Sequence, residues 1–342
     1  MTRLARQSCV LANSLLAVGL VLCPVTVQSD GGVGDGFALR NQNPFLQIFG
    51  LPMPRSAMLT RRGESDFGIT LDIANHADAG DGALETFTID GESYFVTLSW
   101  RRRVSSRLEL GVDLPFVAHE EGLLDNAIEN WHDALGMSNS KRNGPSNQLG
   151  FLYSRNGITL YELNSPSYGI GDIQLSAALS IKEASSADGP SVSLRSSIKL
   201  PSGDSDNLQG SGATDFSLGI YASDTYTLFA HGLDISGFIG GLLLGDGKVL
   251  ADIQRSAVPF AGLAATWRAT ERMGLVVQLC AQGAYFDSNL EELGGESIQL
   301  AVGLNYRPLR SALLVKFAVV EDVAANATTD FGLHFAIESS GD

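Results

Sequence analysis

Two groups of histidine and acidic residues have the side chains that bind metal ions or transfer protons. His132 precedes Asp133, and His119 precedes Glu120 and Glu121. Adjacent residues of a helix point in different directions, and neither group has the His-x-x-x-His or paired-cysteine spacing of a metal site. We therefore predict no resident metal and no other cofactor.

A serine hydrolase would need a serine, a histidine base and a polar residue that orients the histidine. No serine lies in the Gly-x-Ser-x-Gly setting of many hydrolases. The candidate bases His231 and His334 both fall in predicted strands, where a packing or lumen role is equally compatible. We predict no catalytic residue and keep an outer-membrane hydrolase only as an alternative.

The elements that would position these side chains are strands. From Asp66 onward, apolar and polar residues alternate in segments of roughly ten residues, as in Phe67, Ile69, Leu71 and Ile73 against small or polar neighbours. Such alternation is typical of strands with one face on lipid and one on a lumen. Short turns, for example at 104–106 and 223–225, alternate with long polar stretches, as outer-membrane barrels require.

The sequence thus predicts an all-β fold: a transmembrane, antiparallel, up-and-down β-barrel over residues 66–342, with about 12 to 14 strands. The lower number applies if the short hairpin 148–163 stands above the membrane. The competing interpretation is a soluble β-sandwich, whose half-buried strands also alternate. The charged fraction of 18% and the mean hydropathy of +0.08 favour the barrel.

The first residues predict export. Arg3 and Arg6 precede an apolar run at 10–22, so residues 1–29 are interpreted as a cleaved signal peptide that sends the chain to the outer membrane of a Gram-negative bacterium. Its removal leaves 21 basic residues (23 less two) and 38 acidic ones, a net charge of −17. This charge argues against nucleic acid as a partner. The expected partners are the lipid bilayer, the barrel-assembly machinery and a small solute.

Residues 30–65 form a segment before the barrel. It contains Asn43 and an apolar group around Phe45, with more apolar surface than a solvated linker has. We expect the segment to pack against the barrel, either as a plug inside the lumen or across the periplasmic mouth. The sequence leaves both placements open.

A short amphipathic helix is predicted at 121–137, in the longest outer loop. Leu124, Ile128 and Trp131 share one face, with His132 and Asp133 following directly. The helix could narrow the lumen as a constriction or pack as an outer lid.

Inward-facing acids include Asp113 and Asp172. They would give the lumen a cation preference, unless they pair across it with residues such as Arg101 and Lys199 and only stiffen the barrel.

Several longer stretches resemble the family known as domain of unknown function 3187. They are 39–52 (LRNQNPFLQIFGLP), 110–116 (LGVDLPF), 122–136 (GLLDNAIENWHDALG) and 169–172 (GIGD). The resemblance covers nearly all of the chain after the signal peptide. It implies an exported proteobacterial protein with an outer-membrane barrel, and it carries no activity.

Three functions are compatible with this sequence. The first is a passive channel or transporter for a small solute, which could be hydrophobic. The second is a non-conducting structural or interaction barrel, and the third is the hydrolase. We expect the first.

Overall fold

The computed structural model describes residues 33–122, 149–184, 189–324, 327 and 331–339. Its strands are β1 (Ser65–Asp81), β2 (Glu85–Arg103), β3 (Leu108–Glu120), β4 (Gly150–Arg155), β5 (Ile158–Leu163), β6 (Ser167–Ile170), β7 (Gln174–Lys182), β8 (Ser191–Lys199), β9 (Asp215–Leu228), β10 (His231–Leu243), β11 (Ala257–Thr270), β12 (Met273–Gln282), β13 (Ser297–Tyr306), β14 (Leu313–Ala324) and β15 (Phe331–Ser339). A single helical turn, α1 (Glu291–Gly294), precedes β13, and 3₁₀ turns occur at Ser205–Asn207 and Ala251–Ile253. No described helix has the length and apolar character needed to span a membrane.

The sheet closes on itself because β1 pairs with both β2 and β15. The result is a closed barrel of 12 antiparallel strands, which confirms the predicted fold class. The hairpin β4–β5 and the short β6 are additional to this ring. The first residues of β2 (Glu85–Asp90) pair with β4, and only its later residues pair with β3. The lower of the two predicted strand numbers is therefore the one observed.

Side chains alternate between lipid and lumen along each barrel strand, as the period-two pattern predicts. In β1, Phe67 is 59% exposed, whereas Thr70 and Asp72 are buried inside. Outward apolar residues recur on the other strands, for example Leu175, Leu218 and Val302. An apolar outer band and a polar interior are what a bilayer requires of a closed barrel.

The two ends of the barrel differ in their connections. At the short-turn end, β2 is followed by β3 after four residues (104–107), β9 by β10 after two (229–230) and β11 by β12 after two (271–272). At the long-loop end lie the connections 200–214, 244–256 and 283–296. One predicted turn, at 223–225, is wrong. Strand β9 continues through it to Leu228, because its partner β10 keeps pairing up to His231.

Residues 33–60, which we call the luminal segment, lie inside the barrel. The Asn305 side chain near the short-turn end of β13 donates to the carbonyl oxygens of Val33 and Asp35. The segment then reaches the long-loop end, where the backbone N–H of Gly50 donates to Asp215, the first residue of β9. It returns to the short-turn end, where the N–H of Thr60 donates to Glu109, and enters β1. The lumen is thus crossed twice.

The main apolar core lies at the long-loop end. Phe45, Leu46, Ile48 and Phe49 are buried there against residues of the loops and of the β4–β5 hairpin. These partners include Phe87, Phe151, Leu208, Leu250, Tyr285 and Phe286. A fully buried aromatic or aliphatic side chain stabilises a fold by roughly 1.5–3 kcal/mol, so the turn of the luminal segment is part of the folded core.

Candidate functional site

A buried lysine fixes the turn of the luminal segment at the long-loop end. The Nζ of Lys199 lies 2.5 Å from Oδ2 of Asp172 and 3.2 Å from Oδ2 of Asp215, and it donates to the carbonyl oxygen of Ile48 at 2.9 Å. It also donates to the Ser211 hydroxyl. Charges buried in this way need partners of opposite sign, so this cluster ties β8, β9 and the luminal segment together.

The two carboxylates of this cluster also hold the backbone. Asp215 accepts from the N–H of Gly50 at 2.8 Å and from that of Gly245 at 3.0 Å. Asp172 accepts from the N–H of Gly203 at 2.7 Å. Each carboxylate thus connects the barrel wall to a loop or to the luminal segment, and Asp172 lies inside the lumen.

The half of the lumen towards the short-turn end contains two further ion pairs. Arg101 forms two hydrogen bonds to Asp113, at 2.8 and 2.7 Å, and Arg195 bonds Glu109 at 3.0 Å. The acids Asp113, Asp172, Glu109 and Asp215 therefore all have a cationic partner in the structure. These four acids are paired with cations of neighbouring or nearby strands of the wall and do not form a free negative field.

Asn43 and Phe45 lie in the turn of the luminal segment. The Asn43 side chain accepts from the N–H of Phe45 at 3.0 Å, and its carbonyl oxygen accepts from the N–H of Leu46 and Gln47. The Phe45 ring packs against Phe87 and Tyr161, with centroids 5.4 and 5.3 Å apart. Asn43 therefore shapes the turn, and Phe45 helps to seal the long-loop end.

The interior around the luminal segment is poorly solvated. Burial raises the pKa of the Asp35 carboxyl, against the opposing effect of Lys316. Burial also lowers the pKa of the Arg40 guanidinium, although Asp113 and Asp72 act in the other direction. The pKa of the Tyr285 hydroxyl in the loop before α1 is raised for the same reason. Desolvation thus outweighs nearby charge at three separate places.

Cavities occur at the short-turn end and along the lumen. One cavity of about 320 Å³ opens at the short-turn mouth beside the return leg of the luminal segment. Two smaller ones of about 30 Å³ each lie deeper, beside Arg40 and beside Asp113. A volume of 30 Å³ holds only a few water molecules at most.

A serine between two histidines lies in the wall near the long-loop end, and no sequence motif indicates it. Ser93 Oγ is 2.9 Å from Nε2 of His76 and 2.8 Å from Nδ1 of His119. All three side chains are at most 1% exposed, so a substrate has no access to the hydroxyl. His334, one of the two candidate bases, is not part of this group; its Nδ1 lies 2.6 Å from Oδ1 of Asp72. Among the described residues, no group of three or more His, Cys, Asp or Glu side chains could hold a metal ion.

The remaining predicted lumen residues cannot be placed. Leu124, Ile128, Trp131, His132 and Asp133, together with most of the predicted helix 121–137, lie outside the described residues. The same applies to the predicted signal peptide 1–29.

Comparison with known proteins gives a family and a fold. A family model described as "Protein of unknown function (DUF3187)" matches residues 12–339. No curated protein matches the chain in sequence. Among solved structures, the COG4313 outer membrane channel from Pseudomonas putida F1 is similar, with 12% identity and a TM-score of 0.51 over 86% of this chain and 98% of that chain.

Two other solved structures are less similar. The NanC porin shares 9% identity and a TM-score of 0.44, over 82% of this chain and 100% of that one. The Pseudomonas putida toluene transporter TodX shares 10% identity and a TM-score of 0.34, over 90% and 94%. Since both TM-scores are below 0.5, the fold comparison rests on the first structure.

Proposed function

The chain belongs to the DUF3187 family. From its closed 12-strand barrel and from the way in which the luminal segment is held inside it, we propose that it is a passive outer-membrane channel or transporter. Its luminal segment must shift for a small solute to pass. In this account a signal peptide exports the chain, the barrel-assembly machinery inserts it, and the short-turn end faces the periplasm.

The observation that carries the proposal is the way in which the luminal segment is held. Residues 33–60 meet the wall through hydrogen bonds, such as Phe37 to Gln278 and Gly50 to Asp215, and through apolar packing. No disulfide joins the segment to the wall in the described chain, and we expect the segment to shift while the barrel stays closed. The similarity of the fold to that of a solved outer membrane channel supports the proposed channel or transporter function.

A hydrophobic solute is compatible with the closure at the long-loop end. That end is closed by a core that includes Phe45, Phe49, Phe87 and Phe151, and a solute that enters there would have to displace their contacts. An apolar molecule could replace these contacts with little desolvation cost, whereas an ion would lose its hydration. We therefore expect apolar solutes to enter from this end more readily than charged ones.

Removing the luminal segment should open the barrel to ions. We expect brief, small current steps from the refolded chain 30–342 in planar bilayers, and large, sustained steps from a variant that lacks residues 34–60. The reason is that this segment fills the space between the strands. A second variant lacking residues 121–137 measures the contribution of that loop separately.

Silence from the variant without residues 34–60 would contradict the proposal, provided that its heat-modifiable gel mobility shows a folded barrel. That outcome would favour a non-conducting structural barrel. The buried Lys199 cluster makes this second function worth testing, because a segment tied by paired charges could be a permanent part of the fold.

A further inference from the structure

We propose that the cavity at the short-turn mouth binds a small oxyanion, a carboxylate or a phosphate group, through the guanidinium of Arg55. The site lies beside the return leg of the luminal segment. It does not depend on transport, and it could be occupied whether or not the barrel conducts.

The partly buried guanidinium of Arg55 has no hydrogen-bond acceptor among the described residues. It lines the cavity of about 320 Å³ and also the smaller cavity next to it. Within the part of the chain that the structure describes, its guanidinium makes no hydrogen bond or ion pair, and its Nε is buried without an acceptor. A partly buried guanidinium is normally satisfied by a carboxylate, a phosphate or carbonyl oxygens.

Two more donors without acceptors face the same cavity. They are the Nε of Arg195 and the hydroxyl of Thr70, and both are buried. Together with Arg55 they give three donor groups around one space. The planar fork of an arginine matches the two oxygens of a carboxylate or phosphate, so an oxyanion would satisfy these donors at once.

Three of the five acids that line the cavity have partners other than Arg55. Glu109 holds Arg195 at 3.0 Å, Glu338 holds Lys316 at 2.9 Å, and Asp66 accepts from the Thr60 hydroxyl at 2.7 Å. Asp35 also lines the cavity, and burial raises the pKa of its carboxyl.

Two further charges lie at the edge of the cavity. Arg61 and Glu64 are three residues apart there and contribute one charge of each sign. Of the arginines that line the cavity, Arg101 and Arg195 are held by Asp113 and Glu109, whereas Arg55 forms no ion pair within the described chain.

The size and polarity of the cavity fit a small ligand. A volume of about 320 Å³ is at the lower end of the range for small-molecule sites. Its wall is mixed, with polar and charged side chains beside the apolar Met58, Leu59, Phe67 and Leu314. Exposed Met58 lies on its rim, so that solutes can reach it from the short-turn side.

Isothermal titration of the refolded chain 30–342 tests this site with succinate, inorganic phosphate and 1,4-diaminobutane, a cation of similar length to succinate. We expect saturable binding of at least one anion at millimolar concentrations or below, and none of the diamine. Succinate alone would identify a carboxylate site, and phosphate alone a phosphate site. Equal binding of the diamine, or no saturable binding of either anion, would overturn the proposal.

Variants make the test specific for Arg55. Arg55→Gln should weaken anion binding about tenfold or more, because it removes a charged donor. Arg55→Lys keeps the charge but loses the planar pair of donors, so its affinity for the anion should lie between those of the parent chain and of Arg55→Gln. Thr70→Val should weaken anion binding about threefold. Arg62→Gln, which removes an exposed arginine that does not line the cavity, is the matched control and should bind as the parent does.

Two further outcomes complete the test. Unchanged affinity in Arg55→Gln would refute the role of this residue. Anion binding by a chain that never conducts would leave the site intact and count only against the transport function.

Discussion

Replacement of Lys199 by methionine should lower the free energy of unfolding by about 3–5 kcal/mol, because it leaves two buried carboxylates without their cation. Asp172 and Asp215 are both at most 6% exposed, and each lies within 3.2 Å of the lysine nitrogen. The same change removes the bond from Nζ to the Ile48 carbonyl, so the turn of the luminal segment should also loosen. Urea-dependent unfolding in detergent micelles measures the effect.

Arg255→Met is the matched control, since Arg255 pairs with Asp287 at 3.6 Å on the exposed surface. Exposed pairs contribute about 0–1 kcal/mol, and we expect a loss in that range. A triple variant with Lys199→Met, Asp172→Asn and Asp215→Asn should regain part of the lost stability, because no unpaired charge is left. If Lys199→Met cost no more than Arg255→Met, the cluster would not hold the lumen together.

The barrel could be predicted from the sequence because its two faces impose a two-residue period. In β1 the alternation assigns Phe67 and Ile69 to the lipid face and Thr70 and Asp72 to the luminal face, as the structure shows. The turn at 223–225 was mispredicted for a related reason. Ser223 and Thr225 are good turn residues, but pairing of β9 with β10 continues through them to a turn at Phe229 and Ala230, both with positive φ.

The strand number depended on contacts that no local pattern contains. Apolar and polar residues alternate in 150–163 as they do in a barrel strand. Only the pairing of β4 with the first residues of β2 (Glu85–Asp90) shows that the hairpin β4–β5 lies outside the ring. A segment too short to span the bilayer was the available clue.

The lumen was only partly predictable. Asp113 and Asp172 were identified as inward-facing from their alternation, yet the sequence could not decide between free acids and pairs. That choice depends on the pairing register of neighbouring strands, which places Asp113 of β3 beside Arg101 of β2. The Ser93 group was missed because His76 and His119 are far apart in sequence and meet only across β1, β2 and β3.

A disulfide between the luminal segment and the wall should abolish passage reversibly. Ser56 Oγ donates to Ser223 Oγ of β9 at 3.2 Å, so cysteines at both positions would bring their sulfur atoms close to bonding distance after a small shift. Cys280, a free cysteine in the described chain, is replaced by serine to prevent mispairing. The Ser56→Cys single variant in the same background is the control, because it cannot form the tether.

Single-channel recording of this tethered variant, before and after reduction, tests the central claim most directly. If the luminal segment must shift for passage, current steps should be absent in the oxidised protein, return on reduction to the frequency of the parent chain, and be unaffected by reduction in the single-cysteine control. Steps that persist in the fully oxidised protein would contradict the account, and so would a parent chain that never opens.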